Sequence, residues 1–184
     1  MIFVMPDREN SLSLLDEYID SDNLKDHCKM VAKAMEAYAE KLDKTGGEVE
    51  KWWAAGLLHD LDWEKFPDEH PMRAVTHILP PLGYPDDVLY AIKAHAPERT
   101  GKTPESEIER YLFACDELAG FMNAVALMRP TGFSGMKISS VKKKLKDKRF
   151  AANVPREDIE KGAQLIKKDL NEHIAFMIGV FENS

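Results

Sequence analysis

One stretch decides the fold of this chain, and it reads Trp52-Trp53-Ala54-Ala55-Gly56-Leu57-Leu58-His59-Asp60. It belongs to a helix predicted over residues 48–59, and a helix this apolar should be the most buried one of the chain. Yet it ends on an imidazole and a carboxylate, which are costly to bury unless another group satisfies them. The doublet His59-Asp60 is therefore the first candidate functional feature.

The remaining chain also predicts helices. Apolar residues recur at steps of three and four, and no alternating run indicates a strand. Ser21 and Asp22 can cap a second helix, which stops at Gly46 and Gly47. The predicted helices cover about residues 11–19, 24–44, 48–59, 71–83, 86–95, 103–126, 139–149 and 155–181. This pattern predicts an all-α protein that folds as a single domain over residues 1–184.

Composition limits the possible partners. The 184 residues include 25 basic and 32 acidic ones, which gives a formal net charge of −7 and argues against general nucleic-acid binding. No stretch approaches the roughly 20 apolar residues that span a bilayer, and residues 1–5 are too short for the core of a signal peptide. Cys28 and Cys115 lack the spacing of a metal or redox motif. We expect a cytoplasmic protein that does not enter a membrane, and its oligomeric state does not follow from the sequence.

Further ionisable groups lie at the ends or inner faces of the predicted helices. A single histidine near an apolar face is more often a hydrogen-bonded core residue, but a set of such groups favours a divalent cation, which satisfies several of them at once. The set is rich in nitrogen and oxygen and free of thiolate. It suits iron, manganese, magnesium, cobalt or nickel better than a structural zinc knot, although zinc is possible. Its members are His27, His59, Asp60, His70, His95 and Asp116.

The order of these residues resembles a known family. His27, the doublet His59-Asp60 and Asp116 are similar to the H…HD…D pattern of the HD superfamily of metal-dependent phosphohydrolases. The apolar helix before the doublet and residues 111–118 around the last aspartate also resemble that family. His70 and His95 match the two extra histidines of its two-metal branch, H…HD…H…H…D. The resemblance covers about residues 20–126; residues 128–130 and 140–148 look like a predicted HD-hydrolase subfamily of unknown substrate.

The resemblance implies an HD-type helical bundle whose motif core spans about residues 20–126, with residues 127–184 as a C-terminal helical extension packed on the same core. It implies that His27, His59, Asp60 and Asp116 hold one ion, and that Asp60 bridges to a second ion bound by His70 and His95. The implied function is hydrolysis of phosphate esters by metal-activated water. Phosphomonoesters of nucleotides or small metabolites are the favoured substrates, and Asp60 is the candidate catalytic residue that positions the nucleophile.

Other residues are candidates for contact with a phosphorylated substrate. Arg99 follows His95 in a loop that could overhang the site, and Arg129 and Lys137 flank a glycine-rich loop where a lid could hinge. The basic segment 142–149 is either a solvated helix face, which is the default interpretation, or a phosphate-binding lid. After the doublet, Asp62 and Glu64 fit a solvated loop at least as well as proton transfer, and Glu64 is the better candidate of the two.

Two alternative classes of function stay open. The first is another reaction of the same fold, either phosphodiester cleavage or oxygen chemistry at a di-iron centre. The second is a regulatory module that binds a nucleotide without turnover. Of the two remaining histidines, we assign His77 to solvent and His173 to a structural role in the core.

Overall fold

The structure, a computed structural model, describes residues 5–182, and within this range it contains helices and no strand. The prediction of an all-α fold is therefore confirmed. The expectation about residues 1–5 falls mostly outside the described range, which begins at Met5. No helix between residues 5 and 182 combines the length and the apolar character needed to cross a bilayer. The helices are α1 (Arg8–Tyr18), α2 (Asp22–Lys41), α3 (Gly47–Leu58), a π-helix (Ala74–Ile78), a 3-10 helix (Pro80–Leu82), α4 (Asp86–His95), α5 (Pro97–Thr100), α6 (Glu107–Leu127), α7 (Ile138–Leu145), α8 (Arg156–Leu165) and α9 (Leu170–Glu182).

The chain forms two compact units, and the boundary falls inside α6, between Phe113 and Ala114. The first unit contains α1 to α5 and the start of α6, and the second contains the rest of α6 and α7 to α9. The single domain over residues 1–184, with its motif core at about 20–126 and its extension over 127–184, stays a prediction.

The core of the first unit is built on α2 and α3. The apolar stripe of α2 is buried, and in α3 every residue from Trp52 to Leu58 is buried, as the apolar run predicts. The two helices approach closely at Gly56, where a Cβ atom would lie 2.7 Å from the Cα atom of Ala32. Since only glycine lacks that atom, Gly56 permits this contact between the two backbones.

Local polar contacts hold α1 and the start of α2 in place. The side chain of Asp7 caps α1 and that of Ser21 caps α2, the latter as predicted. Arg8 joins α1 to its neighbours: its guanidinium donates to Glu36 at 2.5 Å and to Glu50 at 2.8 Å, and lies 4.7 Å from the centre of the Trp53 ring. These contacts place α1 against the two helices that carry His27 and His59.

The segment between α3 and α4 departs from the predicted helix over residues 71–83. Turns occupy residues 67–71. Residues 72–73 are helical, and a short π-helix and a 3-10 helix follow, ending at Gly83 with φ at +90°. A helix that begins at Pro71 would have His70 as its cap. In the structure the ring of His70 instead contacts Asp62 and His95. His77 is exposed, as the sequence predicts.

In the second unit, the predicted helix over residues 155–181 is two helices, α8 and α9. The break comes at Lys167, whose φ of +56° is left-handed, and Asp169 then accepts a hydrogen bond from the backbone N–H of Asn171. The buried positions continue across the break with helical spacing, so periodicity alone could not locate it. Gly162 of α8 approaches Ala114 of α6 closely: a Cβ atom added at Gly162 would lie 2.7 Å from the Cα atom of Ala114.

His173 of α9 is fully buried, and its Nε2–H donates to the carbonyl oxygen of Ala114 at 2.9 Å. Burial lowers the pKa of His173 to about 4, despite this hydrogen bond, which raises it. His173 is therefore protonated near pH 6.5 in the unfolded chain but only near pH 4 in the folded chain. Stability from this residue is complete above that window and is lost as the pH falls through it.

We expect the free energy of unfolding to drop by about 2 kcal/mol between pH 7 and pH 5 because of His173. His173→Gln keeps an N–H donor for Ala114 but cannot titrate, so this share of the acid sensitivity should disappear. Urea unfolding of both proteins at the two pH values measures the difference. The exposed His77→Gln is the matched control and should leave the pH dependence unchanged; equal pH dependence in wild type and His173→Gln would contradict the assignment.

Candidate metal centre

Five predicted ligands of the first unit converge at the ends of its helices. His59 follows the last residue of α3, His95 is the last residue of α4, and His27 lies near the start of α2. Asp60 and His70 come from the turns that follow α3. The buried helices thus deliver side chains from four separate parts of the chain to one place.

Asp60 lies at the middle of this cluster, and its two carboxylate oxygens face different histidines. Oδ2 lies 3.4 Å from Nε2 of His59 and 4.0 Å from Nε2 of His27. Oδ1 lies 3.5 Å from Nε2 of His70 and 3.7 Å from Nε2 of His95. Within each pair the Nε2 atoms are close as well, at 3.3 Å for His27 and His59 and 3.2 Å for His70 and His95.

The other ring nitrogen of three histidines is occupied. Nδ1 of His59 lies 2.8 Å from the carbonyl oxygen of Gly56, and Nδ1 of His95 lies 2.6 Å from that of Ile92. Nδ1 of His70 lies 2.7 Å from Oδ1 of Asp62. Each partner is an acceptor, so Nδ1 carries the proton and Nε2 keeps a lone pair in the neutral ring.

These lone pairs point toward the carboxylate oxygens of Asp60. Without a cation the lone pairs and the oxygens repel each other, whereas a cation between them would attract both. Two ligands at about 2.1 Å from one ion lie about 3.0–3.4 Å apart, close to the spacings observed here. The donor atoms of Asp60, His70 and His95 all lie within 4.8 Å of one another. The cluster could therefore hold a divalent ion, and its donor chemistry fits one.

The centre is buried on one side and open on the other. The side chains of His59, His70 and His95 are 0, 2 and 4% exposed, whereas those of His27 and Asp60 are both 17% exposed. Burial would raise the pKa of Asp60, but the neighbouring His59 and His95, when protonated, outweigh it and lower that pKa well below its usual range. Asp60 lies at the accessible edge of the centre.

The sixth predicted ligand, Asp116, belongs to the second unit. It lies on α6, is partly exposed, and follows Cys115, a buried thiol whose pKa is raised by burial and by the charge of Asp116. Its role as a metal ligand stays a prediction.

Among the predicted substrate contacts, Arg99 lies beside the centre. Its guanidinium donates to the carbonyl oxygen of Pro67 at 2.8 Å and stacks 4.8 Å from the centre of the Trp63 ring. That ring and the ring of His70 form a T-shaped contact, with ring centres 4.9 Å apart. Trp63, which is 41% exposed, was not among the predicted site residues, although a tryptophan three residues after His59-Asp60 in a polar segment is an available signal.

The other two candidates lie in the second unit. Arg129 donates to the carbonyl oxygen of Ser134 and to Thr131, which closes the loop before α7, and Lys137 is exposed at the start of α7. The basic helix ends at Leu145 instead of Arg149, and Lys144 lies 4.6 Å from the centre of the Phe150 ring. Contact of these residues with substrate stays a prediction.

Of the two acids after the doublet, Asp62 contacts the cluster and Glu64 lies in the solvated position that was expected for both. Glu64 is exposed and accepts hydrogen bonds from the backbone N–H groups of Asp20 and Ser21. Asp62 is fully buried and bonded to His70. The signal that could have identified it is its position between the large apolar residues Leu61 and Trp63.

Comparison with known proteins gives one match. The family model of the HD domain matches residues 24–120, which is more than half of the 184-residue chain. Neither a curated protein nor a solved structure matches the chain.

Proposed function

This chain belongs to the HD domain family, and from that premise we propose that it is a metal-dependent hydrolase of phosphate esters. The proposal rests on the geometry of Asp60, because its two carboxylate oxygens face two separate pairs of histidine nitrogens. Such a set suits one or two divalent ions, with iron, manganese, magnesium, cobalt or nickel favoured over zinc.

In this proposal each histidine pair belongs to one subsite. His27 and His59 would hold one ion together with Asp60 and Asp116, and His70 and His95 would hold the other together with Asp60. When bound, divalent ions lower the pKa of water and stabilise negative charge on phosphoryl oxygens. Carboxylate oxygens are ligands that magnesium and manganese prefer. The imidazoles also allow iron, cobalt or nickel to bind.

The residues of this chain supply position and access. Asp60 lies at the open edge, where its carboxylate could orient a water molecule toward a substrate that enters there. Arg99 lies one aromatic ring away from His70, and its charge favours a phosphorylated substrate at this rim. Arg129 and Lys137 are further candidate contacts of the second unit.

We favour phosphomonoesters of nucleotides or small metabolites as substrates. The purified protein should be stripped of metal with a chelator and reloaded with manganese, iron, magnesium, cobalt, nickel or zinc. Phosphate release from a panel of phosphomonoesters should disappear on stripping and return with at least one of these ions. Cleavage of bis(p-nitrophenyl) phosphate without release from any monoester would instead identify a phosphodiesterase.

The same ligand set also favours a second candidate, a di-iron oxygenase, because two sites of nitrogen and oxygen donors share one carboxylate. Iron content and electron paramagnetic resonance of protein purified without added metal separate the two functions. A mixed-valence signal with oxygen consumption would favour the oxygenase.

A third outcome is also distinguishable. Tight nucleotide binding, with no product after incubation with any of the metals, would favour a regulatory module.

A further inference from the structure

Asp62 makes two hydrogen bonds at the back of the centre. It lies in the turns after α3 and is fully buried. Its Oδ1 accepts from Nδ1–H of His70 at 2.7 Å, and its Oδ2 accepts from the backbone N–H of Ala74 at 2.7 Å. On the opposite side of the same ring, Nε2 of His70 faces Asp60 and His95.

His70 is held differently from His59 and His95. The Nδ1–H groups of those two histidines donate to backbone carbonyl oxygens three residues earlier in their own helices, at Gly56 and Ile92. These acceptors are part of the main chain and survive any side-chain substitution. Among the three Nδ1–H groups, that of His70 donates to a side chain and the other two donate to the main chain.

We propose that Asp62 is a positioning residue, which holds His70 in the one neutral form whose Nε2 can bind a metal ion. The inference rests on the proposed metal centre but not on the reaction carried out there. A ligating histidine that donates its other N–H to a carboxylate is fixed in tautomer and ring orientation and becomes a more basic ligand. Asp62 therefore supports the His70–His95 subsite and leaves the His27–His59 subsite unaffected.

The need for a carboxylate follows from counting acceptors. Asp62 accepts at both oxygens, one for His70 and one for Ala74. An asparagine has a single acceptor oxygen, and the buried N–H of Ala74 can only donate. In Asp62→Asn the amide oxygen should face Ala74, so that the amide N–H group faces Nδ1 of His70. That arrangement moves the proton of His70 to Nε2, where it blocks metal binding.

The first measurement uses the folded wild-type protein without metal. Nitrogen-15 NMR of the histidine rings distinguishes the two tautomers, and the His70 signal is identified by its loss in His70→Gln. We expect the Nδ1–H form in wild type and the Nε2–H form in Asp62→Asn. An Nε2–H form of His70 in wild type would overturn the inference, whether or not the variant folds.

The second measurement is metal binding by calorimetry with manganese, together with the metal content of the protein. Wild type should bind two ions, and Asp62→Asn should bind one of them about 10–100-fold more weakly while the other keeps its affinity. The matched control is Glu109→Gln, since Glu109 is also a buried carboxylate that accepts from two backbone N–H groups, those of Glu105 and Ser106. It should keep both affinities.

Two outcomes of the calorimetry would overturn the inference: two ions bound by Asp62→Asn with wild-type affinities, or equal losses in Asp62→Asn and Glu109→Gln. Failure of the proposed function has a different signature. A protein that binds two ions, loses one in Asp62→Asn and yet releases no phosphate from any ester would keep Asp62 as a positioning residue and refute the hydrolase.

Discussion

Asp60→Asn should lower metal-dependent phosphate release by more than about 100-fold, because loss of an outer partner of a metal ligand already costs about 10–100-fold. Asp60 faces both histidine pairs, one with each oxygen, so a single substitution affects both subsites. The amide keeps the shape of the carboxylate but removes the negative charge and one acceptor oxygen. The measurements are the initial rate of phosphate release and the metal content per chain.

A matched control lies in the same part of the chain. Asp68 is exposed in the turns before His70, so Asp68→Asn makes the same chemical change outside the cluster and should keep the wild-type rate. Thermal unfolding in the presence of chelator should give Asp60→Asn close to wild type, which excludes loss of the fold. Unchanged phosphate release from Asp60→Asn would refute both the hydrolytic function and its placement at this carboxylate.

Gly56→Ala should produce the largest loss of stability among single-atom changes in the first unit. The new Cβ atom would lie 2.7 Å from Cα and 2.8 Å from N of Ala32, and a backbone cannot rotate away as a flexible side chain can. We expect a loss of about 3 kcal/mol in the free energy of unfolding. This loss outweighs the gain of about 1 kcal/mol that alanine brings to a helix interior.

The control for this prediction is Gly179→Ala. Gly179 lies in α9, is exposed, and a Cβ atom added there meets nothing within 4 Å, so the substitution should stabilise by about 0.5–1 kcal/mol. Urea unfolding of the three proteins gives the comparison. A Gly56→Ala protein as stable as wild type would mean that α2 and α3 separate at little cost. Such a separation would also move His27 from His59, and metal binding would report it.

The helical pattern and the ligands on regular helices could be predicted from the sequence, and the residues in turns largely could not. His27, His59 and His95 lie on or at the end of α2, α3 and α4, where apolar periodicity fixes the inner face. His70 lies in the turns at residues 67–71, so helical periodicity does not fix the direction of its side chain. It entered the candidate set as a residue at the end of a predicted helix, and its pairing with His95 was implied by the resemblance.

The contact of Asp62 with the cluster was not predicted from the sequence. In the sequence, a carboxylate two positions after the doublet in a polar segment resembles a solvated one, and only its large apolar neighbours Leu61 and Trp63 indicate otherwise. Its burial depends on the path that carries His70 and the π-helix back over it, through the bonds to His70 and Ala74. That path is a tertiary property, which local propensity does not encode.

The break between α8 and α9 escaped prediction for a similar reason. Lysine has no strong preference against helix, and Lys167 takes a left-handed conformation that costs a residue with a side chain about 1–2 kcal/mol. The apolar stripes of both helices must offset this cost, and their joint burial could not be read from either stripe alone.

The carbonyl oxygens that orient His59 and His95 come from the last turns of their own helices, where backbone acceptors otherwise lack a partner. Each of these ligands is thus a self-contained unit of four residues, Gly56 to His59 and Ile92 to His95, in which the helix end directs the imidazole. For a designer such a unit is portable in one sense, because moving the helix end also moves the carbonyl oxygen that accepts from the imidazole. His70 is not portable in this sense, since Asp62 and the turn between them would have to move with it.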